Sequence, residues 1–268
     1  MSFSASWLAL REPYDQAARN AEILDAVAGY FAGQATISAV DLACGTGATL
    51  RAIGARLPVR QTWRLIDNDL SLLSRAAPAD VSADIVVRTE PIDLVRDLEL
   101  ALDGPVDLVT NSALLDLVSQ EWLDRFVVET AARRLPVYAA LVYDGCVTFE
   151  PALALDPDIV DAVNRHQQTD KGFGPALGPA AAGELIAAFE QIGYETVHGP
   201  SDWNFGSADA AIQKEVIAGW AAAARQVGGI PVEKIVDWLE RRHRAIAEGR
   251  SSIVVGHADV FTRPQALR

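Results

Sequence analysis

Three acidic residues stand where short apolar runs end: Asp41 after Ile37 to Val40, Asp67 after Thr62 to Ile66, and Asp93 after Pro91-Ile92. Between the first two lies the turn Ala43-Cys44-Gly45-Thr46-Gly47. Glycine has no Cβ and tolerates positive φ, so backbone at such a turn can approach a ligand closely. The N–H groups of the turn and of the helix that follows favour an electron-rich partner. Asp67 comes 20 residues after Gly47, about the spacing at which a carboxylate accepts bonds from ribose hydroxyls. Its two oxygens match two vicinal hydroxyls. A plainer role for Asp67 is to cap a helix beginning near Leu70, and for Asp93 to close a simple turn. Together the parts describe a cradle for a nucleotide-like ligand.

The elements that must carry this cradle alternate between strand-like runs and helical patterns, which indicates βαβ units and a parallel sheet. Residues 15–31 place Ala21, Leu24, Val27, Ala28 and Phe31 at helical spacing. Strands are expected near 37–43, 62–66, 85–88, 106–110 and 136–143, the last nearly all apolar and so central. The helix after the turn carries Leu50, Ile53 and Leu57 on one face; another over 120–134 buries Trp122, Phe126 and Val127. The rhythm then breaks, and residues 146–180 show no clear period. A long segment of that kind in a compact domain is usually functional or flexible. Helical spacing returns with Leu185, Phe189 and Ile192, Tyr194 to His198 reads as a sixth strand, and helices follow over 207–226 and 231–247. Ile253 to Phe261 is the last strand.

The chain has 268 residues, enough for one large domain whose core needs no disulfide or metal staple. Two cysteines, Cys44 and Cys146, form no disulfide framework and no zinc pattern, so no metal is expected and a reducing, cytoplasmic setting fits. The N-terminus lacks the basic start and apolar run of a signal peptide, and no apolar run is long enough to span a bilayer, so no membrane partner is expected. A formal net charge of −13 argues against nucleic acid as a partner, because binding a phosphate backbone rests on Lys and Arg.

Taken in order, these residues resemble the class I S-adenosylmethionine (SAM)-dependent methyltransferases. Asp41 to Gly47 is similar to their first motif, with Ala43 where glycine is common. Leu65-Ile66-Asp67-Asn68-Asp69 followed by Leu72-Leu73 is similar to the second, and Asp107 to Leu115 to the strand-four segment. The resemblance covers residues 35–145 well and the rest weakly. It implies a Rossmann-like methyltransferase fold, a mostly parallel seven-stranded sheet with helices on both faces. It also implies roles: Gly45 and Gly47 near the methionine and ribose of SAM, Asp41 holding the loop and the amino group, and Asp67 at the ribose, with Asn68 next to it a further cofactor-binding residue. Ile92 and Asp93 would flank the adenine, and Asn111 and Ser112 the methionine moiety. Arg11, in the segment Arg11 to Asp15, would pair the SAM carboxylate through its planar fork, against the alternative of a solvated surface arginine.

The Asn-Pro-Pro-aromatic tetrapeptide of many DNA and protein N-methyltransferases is absent; Asn111-Ser112-Ala113-Leu114 stands there instead. With the acidity, this favours a small-molecule acceptor, O- or N-methylation undecided. The acceptor pocket would draw on Tyr143, Asp144, His166, Asp170, Lys171 and Trp203; His166, Tyr143 and Asp144 are the weak catalytic candidates, His166 alone having an ordinary pKa near neutrality. Cys44 is read as a small buried residue rather than a nucleophile. An NAD(P)-dependent oxidoreductase is the nearest competitor, but its fingerprint wants a third small residue where Leu50 stands. A SAM-binding protein without turnover is the other. The expectation is a single methyltransferase-like domain over 1–268, with a helical N-terminal lid at 1–34 and inserts at 146–180 and 205–250 shaping the acceptor site. The sequence carries no sign of oligomeric state.

Overall fold

A computed structural model describes residues 3–77 and 83–265. Helix α1 (Ala5–Ala18) opens on Ser4, whose hydroxyl accepts from the Trp7 N–H. Helix α2 (Ala21–Tyr30) restarts one residue after Arg19-Asn20. The single helix expected over 15–31 is therefore two. The Asn20 carboxamide accepts from the N–H groups of Glu22 and Ile23, a side-chain cap that starts a new helix.

The chain then builds β1 (Thr36–Leu42), α3 (Ala48–Ile53), β2 (Arg60–Asp67), α4 (Leu70–Ala76), β3 (Ile85–Pro91), the single turn α5 (Leu98–Ala101), β4 (Leu108–Ser112), α6 (Gln120–Ala132) and β5 (Val137–Glu150). After these come α7 (Asp156–Gln167), α8 (Ala181–Gln191), β6 (Tyr194–Pro200), β7 (Trp203–Phe205), α9 (Ala210–Val227), α10 (Val232–Ala247) and β8 (Ser252–Pro264). No described helix is long and apolar enough to cross a membrane.

The strand order is β3-β2-β1-β4-β5-β8-β6, and β7 pairs with β8 off that path. Strands β1 to β5 are parallel; β8 runs antiparallel to β5, β6 and β7. The expected mixed α/β architecture with a mostly parallel sheet is what forms, with one short strand more than seven. Val40, Leu42, Val109 and Val137 have no exposed surface, the burial expected of central parallel strands covered on both faces. One apolar layer packs Trp122, Phe126, Leu185 and Phe189 against the sheet; the other packs Val27, Phe31, Leu50 and Ile53.

Strands β5 and β8 run on past the ends of their parallel neighbours as an antiparallel ribbon, ending with Glu150 opposite Ser252. Its register shifts between Ala139 and Val142 and again between Tyr143 and Val147. Leu141 (φ 54°) and Gly145 (φ 85°) turn left-handed within those two irregular stretches. This arm supports a third apolar cluster from α7, α9 and α10, centred on Ile159, Ile217 and Trp238. Segment 146–180 thus starts inside a strand and contains a helix, where the sequence showed no period. Helix α1 bridges arm and sheet: Glu12 pairs with Arg51 of α3 at 2.6 Å, and the Tyr14 hydroxyl donates to Asp209 at 2.8 Å.

Candidate active site

The turn after β1 alternates left-handed positions: Ala43 at φ 53°, Gly45 at 54° and Gly47 at 77°. Ala43 carries a Cβ in this conformation, at a cost of roughly 1–2 kcal/mol that glycine would avoid. Cys44 N–H donates to the Ile66 carbonyl at 2.9 Å, which pins the turn to β2. A Cβ on Gly47 would lie 2.4 Å from the Ala76 carbonyl oxygen. Gly47 is therefore demanded by the closeness of α4, not by a ligand, and it does not line the cavity above. Helix α3 has only six residues, so its dipole is a minor contributor.

That cavity, about 680 Å³, opens over the C-terminal ends of β1, β2, β3 and β4. Of the residues singled out in the sequence, Gly45, Asp67, Asn68, Ile92, Asp93, Ser112, Arg11 and Lys171 line it. The Asp67 carboxylate accepts from Gly45 N–H and from Asp69 N–H, each at 2.9 Å, so one side chain ties the turn to the end of β2. Capping of α4 falls to Asp69, whose oxygen accepts from Ser71 N–H at 2.8 Å. Each Asp67 oxygen keeps a second lone pair for a donor in the cavity. Asp93 does close a turn, accepting from Val95 N–H at 3.0 Å, yet it stays on the cavity wall.

Asp41 and Asn111 lie one layer beneath the wall with no exposed surface. The Thr110 hydroxyl donates to Asp41 Oδ1 at 2.8 Å. Asp41 Oδ2 and both polar atoms of the Asn111 carboxamide have no hydrogen-bond partner. Burial pushes the Asp41 carboxyl up to about 7 against the pull of Thr110 and Arg19. Cys44 is buried and its thiol is pushed far up by the same desolvation, which suits a packing residue and not a nucleophile.

On the β4 side the wall is built by α1, the segment after β4 and the loop after α7. Arg11, 8 % exposed, is not a solvated surface residue. Its Nε donates to Asp15 at 2.9 Å and its guanidinium stacks over Trp203 at 4.9 Å. The two terminal nitrogens make no hydrogen bond among the described residues, which leaves the fork open to the cavity. Asp15 itself is held by Arg11 and by the Trp203 indole N–H at 2.9 Å. Lys171 Nζ donates to the His166 carbonyl at 2.7 Å and to the Thr169 hydroxyl at 3.0 Å. Burial lowers its pKa while the nearby Asp116 raises it.

The other polar candidates stand back from the wall. His166 has both ring nitrogens engaged, with Gln226 at 2.9 Å and Lys171 at 3.2 Å. The Tyr143 hydroxyl donates to Asn164 at 2.7 Å, and Asp144 accepts from Cys146 N–H where the arm bends. Asp170 accepts from the N–H groups of Gly172 and Gly174 and so shapes the loop that presents Lys171. Three polar residues near the site escaped the sequence reading. Asp15 carried a signal, four residues after Arg11 on one helical face. Asp116, an acid inside the apolar run Leu114 to Val118, carried another. Burial pushes its carboxyl up to about 6, and its Oδ1 has no partner. His257 had none: it is buried against Trp203 at 4.8 Å, donates from Nδ1 to the Val255 carbonyl, and burial lowers its pKa to about 4.

No family model and no curated protein matches the sequence. Among solved structures, a cyclopropane-fatty-acyl-phospholipid synthase-like protein from Lactobacillus casei superposes with TM-score 0.52 and 12 % identity, over 94 % of this chain and 98 % of that one. YcgJ protein from Bacillus subtilis superposes with TM-score 0.51 and 13 % identity, over 92 % of this chain and 100 % of that one. The chain has the Rossmann-like methyltransferase fold. A SAM-dependent methyltransferase from Thiobacillus denitrificans, solved with S-adenosyl-L-homocysteine, is similar over 98 % of this chain and 100 % of that one at TM-score 0.44 and 13 % identity. In the methyltransferase fold of this chain, the cavity stands where an open α/β sheet places ligands, outside the carboxyl ends of its strands.

The residues present suit SAM. A carboxylate for the ribose, an open guanidinium fork for a carboxylate, and unmet acceptors on Asp41 and Asn111 for an ammonium or ordered water all face or underlie one cavity. The cavity volume lies within the range of small-molecule sites, roughly 300–1,000 Å³. Leu50, by contrast, is buried in the core at the place where a dinucleotide turn needs a small residue.

Proposed function

We propose that this chain is a SAM-dependent methyltransferase acting on a small-molecule acceptor. The observation that carries the reading is Asp67, tied to Gly45 yet open to the cavity, set opposite the free fork of Arg11. Asp67 and Asn68 hold the ribose, Ile92 and Asp93 flank the adenine, and Ser112 borders the methionine. Arg11 pairs the cofactor carboxylate with two parallel N–H bonds. Gly45 leaves room beside Leu8 of α1. Gly47 and Asn111 act from behind the wall, through the backbone and through the layer beneath. Asp41 does the same, holding the cofactor's amino group by way of that layer.

Bound SAM supplies a methyl group on a positively charged sulfur. A lone pair on the acceptor forms the new bond to the methyl carbon as the carbon–sulfur bond breaks. The bonding pair would stay on sulfur, and the acceptor's proton would leave to solvent as the products depart. The protein's part is to hold the acceptor in line and keep the site dry, which can supply much of the rate. The polar atoms of His166 and Tyr143 are engaged and stand away from the wall, so positioning, not base catalysis by either, is their contribution. Helices α1 and α2 supply the N-terminal lid, and the arm that holds segments 146–180 and 205–250 shapes the acceptor side.

Calorimetry with S-adenosyl-L-homocysteine and with NADH tests this. Binding of the first and not the second is expected; the reverse sinks the reading. Binding with no turnover across an acceptor screen would instead mark a SAM-binding protein.

A further inference from the structure

Helix α1 is attached to two different parts of the molecule. Leu8, Arg11 and Asp15, spaced three and four apart, give one of its faces to the cavity. Toward the arm, Asp15 accepts from the Trp203 indole N–H at 2.9 Å and the Tyr14 hydroxyl donates to Asp209 at 2.8 Å. The Tyr14 ring also meets Phe205 edge-on, 5.1 Å between centres. Toward the sheet, α1 meets the turn after β1. Leu8 stands over Gly45, its Cδ1 3.2 Å from where a Cβ would sit. Glu12 accepts twice from the Arg51 guanidinium, from Nε at 2.6 Å and from Nη2 at 2.8 Å. The remaining nitrogen, Nη1, donates to the Thr46 carbonyl at 2.6 Å. One planar group thus joins α1 to the turn itself, because Thr46 lies between Gly45 and Gly47 and lines the cavity.

These attachments matter to a ligand that is held at both ends. Gly45 N–H donates to Asp67, so turn and carboxylate form one unit. Arg11, next to Glu12 in the chain, is held by Asp15 and by its stack on Trp203. The span from Asp67 to the Arg11 fork is therefore set by how α1 sits on the turn. An exposed ion pair contributes little to such seating. This one is bidentate, carries a third bond, and leaves the Arg51 and Glu12 side chains only 29 % and 19 % exposed, which places it at the stronger end.

We infer that Glu12 and Arg51 are a positioning pair, seating α1 on the turn so that Asp67 and Arg11 can hold the two ends of one cofactor molecule. Neither lines the cavity, so they act through Arg11 and the turn. Under the SAM reading, on which this depends, the ends are the ribose and the carboxylate. By linkage, a cofactor that engages both ends also favours the seated helix.

Calorimetry on the full chain with two ligands tests the pair. S-adenosyl-L-homocysteine has both ends; methylthioadenosine keeps the adenosine and the sulfur but has no carboxylate. The unaltered chain should prefer the first, and Arg11→Gln should remove that preference. Glu12→Gln should weaken S-adenosyl-L-homocysteine about fivefold, the most that a partly exposed pair supplies. Its affinity for methylthioadenosine should stay within about twofold. In an Arg51→Gln background, Glu12→Gln should add no further loss, because the same interaction is already gone. An unchanged preference in folded Glu12→Gln, equal losses for both ligands, or losses that add in the double variant would each overturn the inference. So would an unaltered chain that binds S-adenosyl-L-homocysteine no better than methylthioadenosine. If Arg51→Gln does not fold, the two ligands compared in Glu12→Gln decide alone. Failure of the unaltered chain to bind S-adenosyl-L-homocysteine at all is a separate result, which removes the SAM reading and this inference with it.

Discussion

At the scale of single residues, Asp67 and Asp41 divide the work of the first two strand ends. Asp67 meets the cavity, and removing it costs the tether of Gly45 and, on the proposed reading, a charged hydrogen bond to the ribose. Asp67→Ala should weaken S-adenosyl-L-homocysteine binding by about 1.5–3 kcal/mol in calorimetry; an unchanged affinity would reduce Asp67 to bracing the loop. Asp41 is buried, and its folded pKa of about 7 lies above the ordinary value of 3.8. The folded state therefore holds that proton more tightly, and Asp41 costs stability as pH rises from about 4 through 7. Asp41→Asn escapes the cost. Urea unfolding at pH 5 and pH 8 should show the variant gaining on the unaltered chain at the higher pH. Both acids were legible, because a carboxylate at a strand end beside a Gly turn is a local pattern. Gly47 was legible as a glycine but not in its reason, since the Ala76 carbonyl that excludes a Cβ arrives from a different element. His257 was illegible, because its burial comes from the pairing of the arm.

At the scale of elements, the arm depends on one buried pair. Arg242 of α10 has no exposed surface, pairs with Asp156 at the start of α7, donates to the Pro151 carbonyl and stacks over Phe149 at 4.2 Å. Trp238 Nε1–H donates to the other Asp156 oxygen at 2.7 Å. Asp156→Ala would strand a buried guanidinium, an expected loss of about 3–5 kcal/mol in urea unfolding. A loss below 1 kcal/mol would mean that water reaches Arg242. Helix α7 escaped the sequence reading because its buried face is Ile159, Ala162 and Val163, two of them small, under a strongly charged outer face. The break between α1 and α2 escaped it because apolar spacing runs through Asn20, whereas the cap is a side-chain event.

At the scale of the molecule, alternating strand and helix signals were enough for the parallel half of the sheet. They could not place β8 between β5 and β6, because antiparallel insertion joins residues more than a hundred positions apart, such as Tyr138 and Phe261. The same distance hid the way α1 meets the arm, where the Trp203 indole N–H donates to Asp15.

The two thiols differ in a way that gives the molecule a built-in reporter. Cys44 is buried in the cavity wall, and Cys146 is exposed at the bend of the arm, its thiol pushed up chiefly by the neighbouring Asp144. A maleimide dye at mildly alkaline pH should label one position only, with mass shift and peptide mapping as the check. Fluorescence from that dye would then follow the arm during ligand titration without any engineered cysteine.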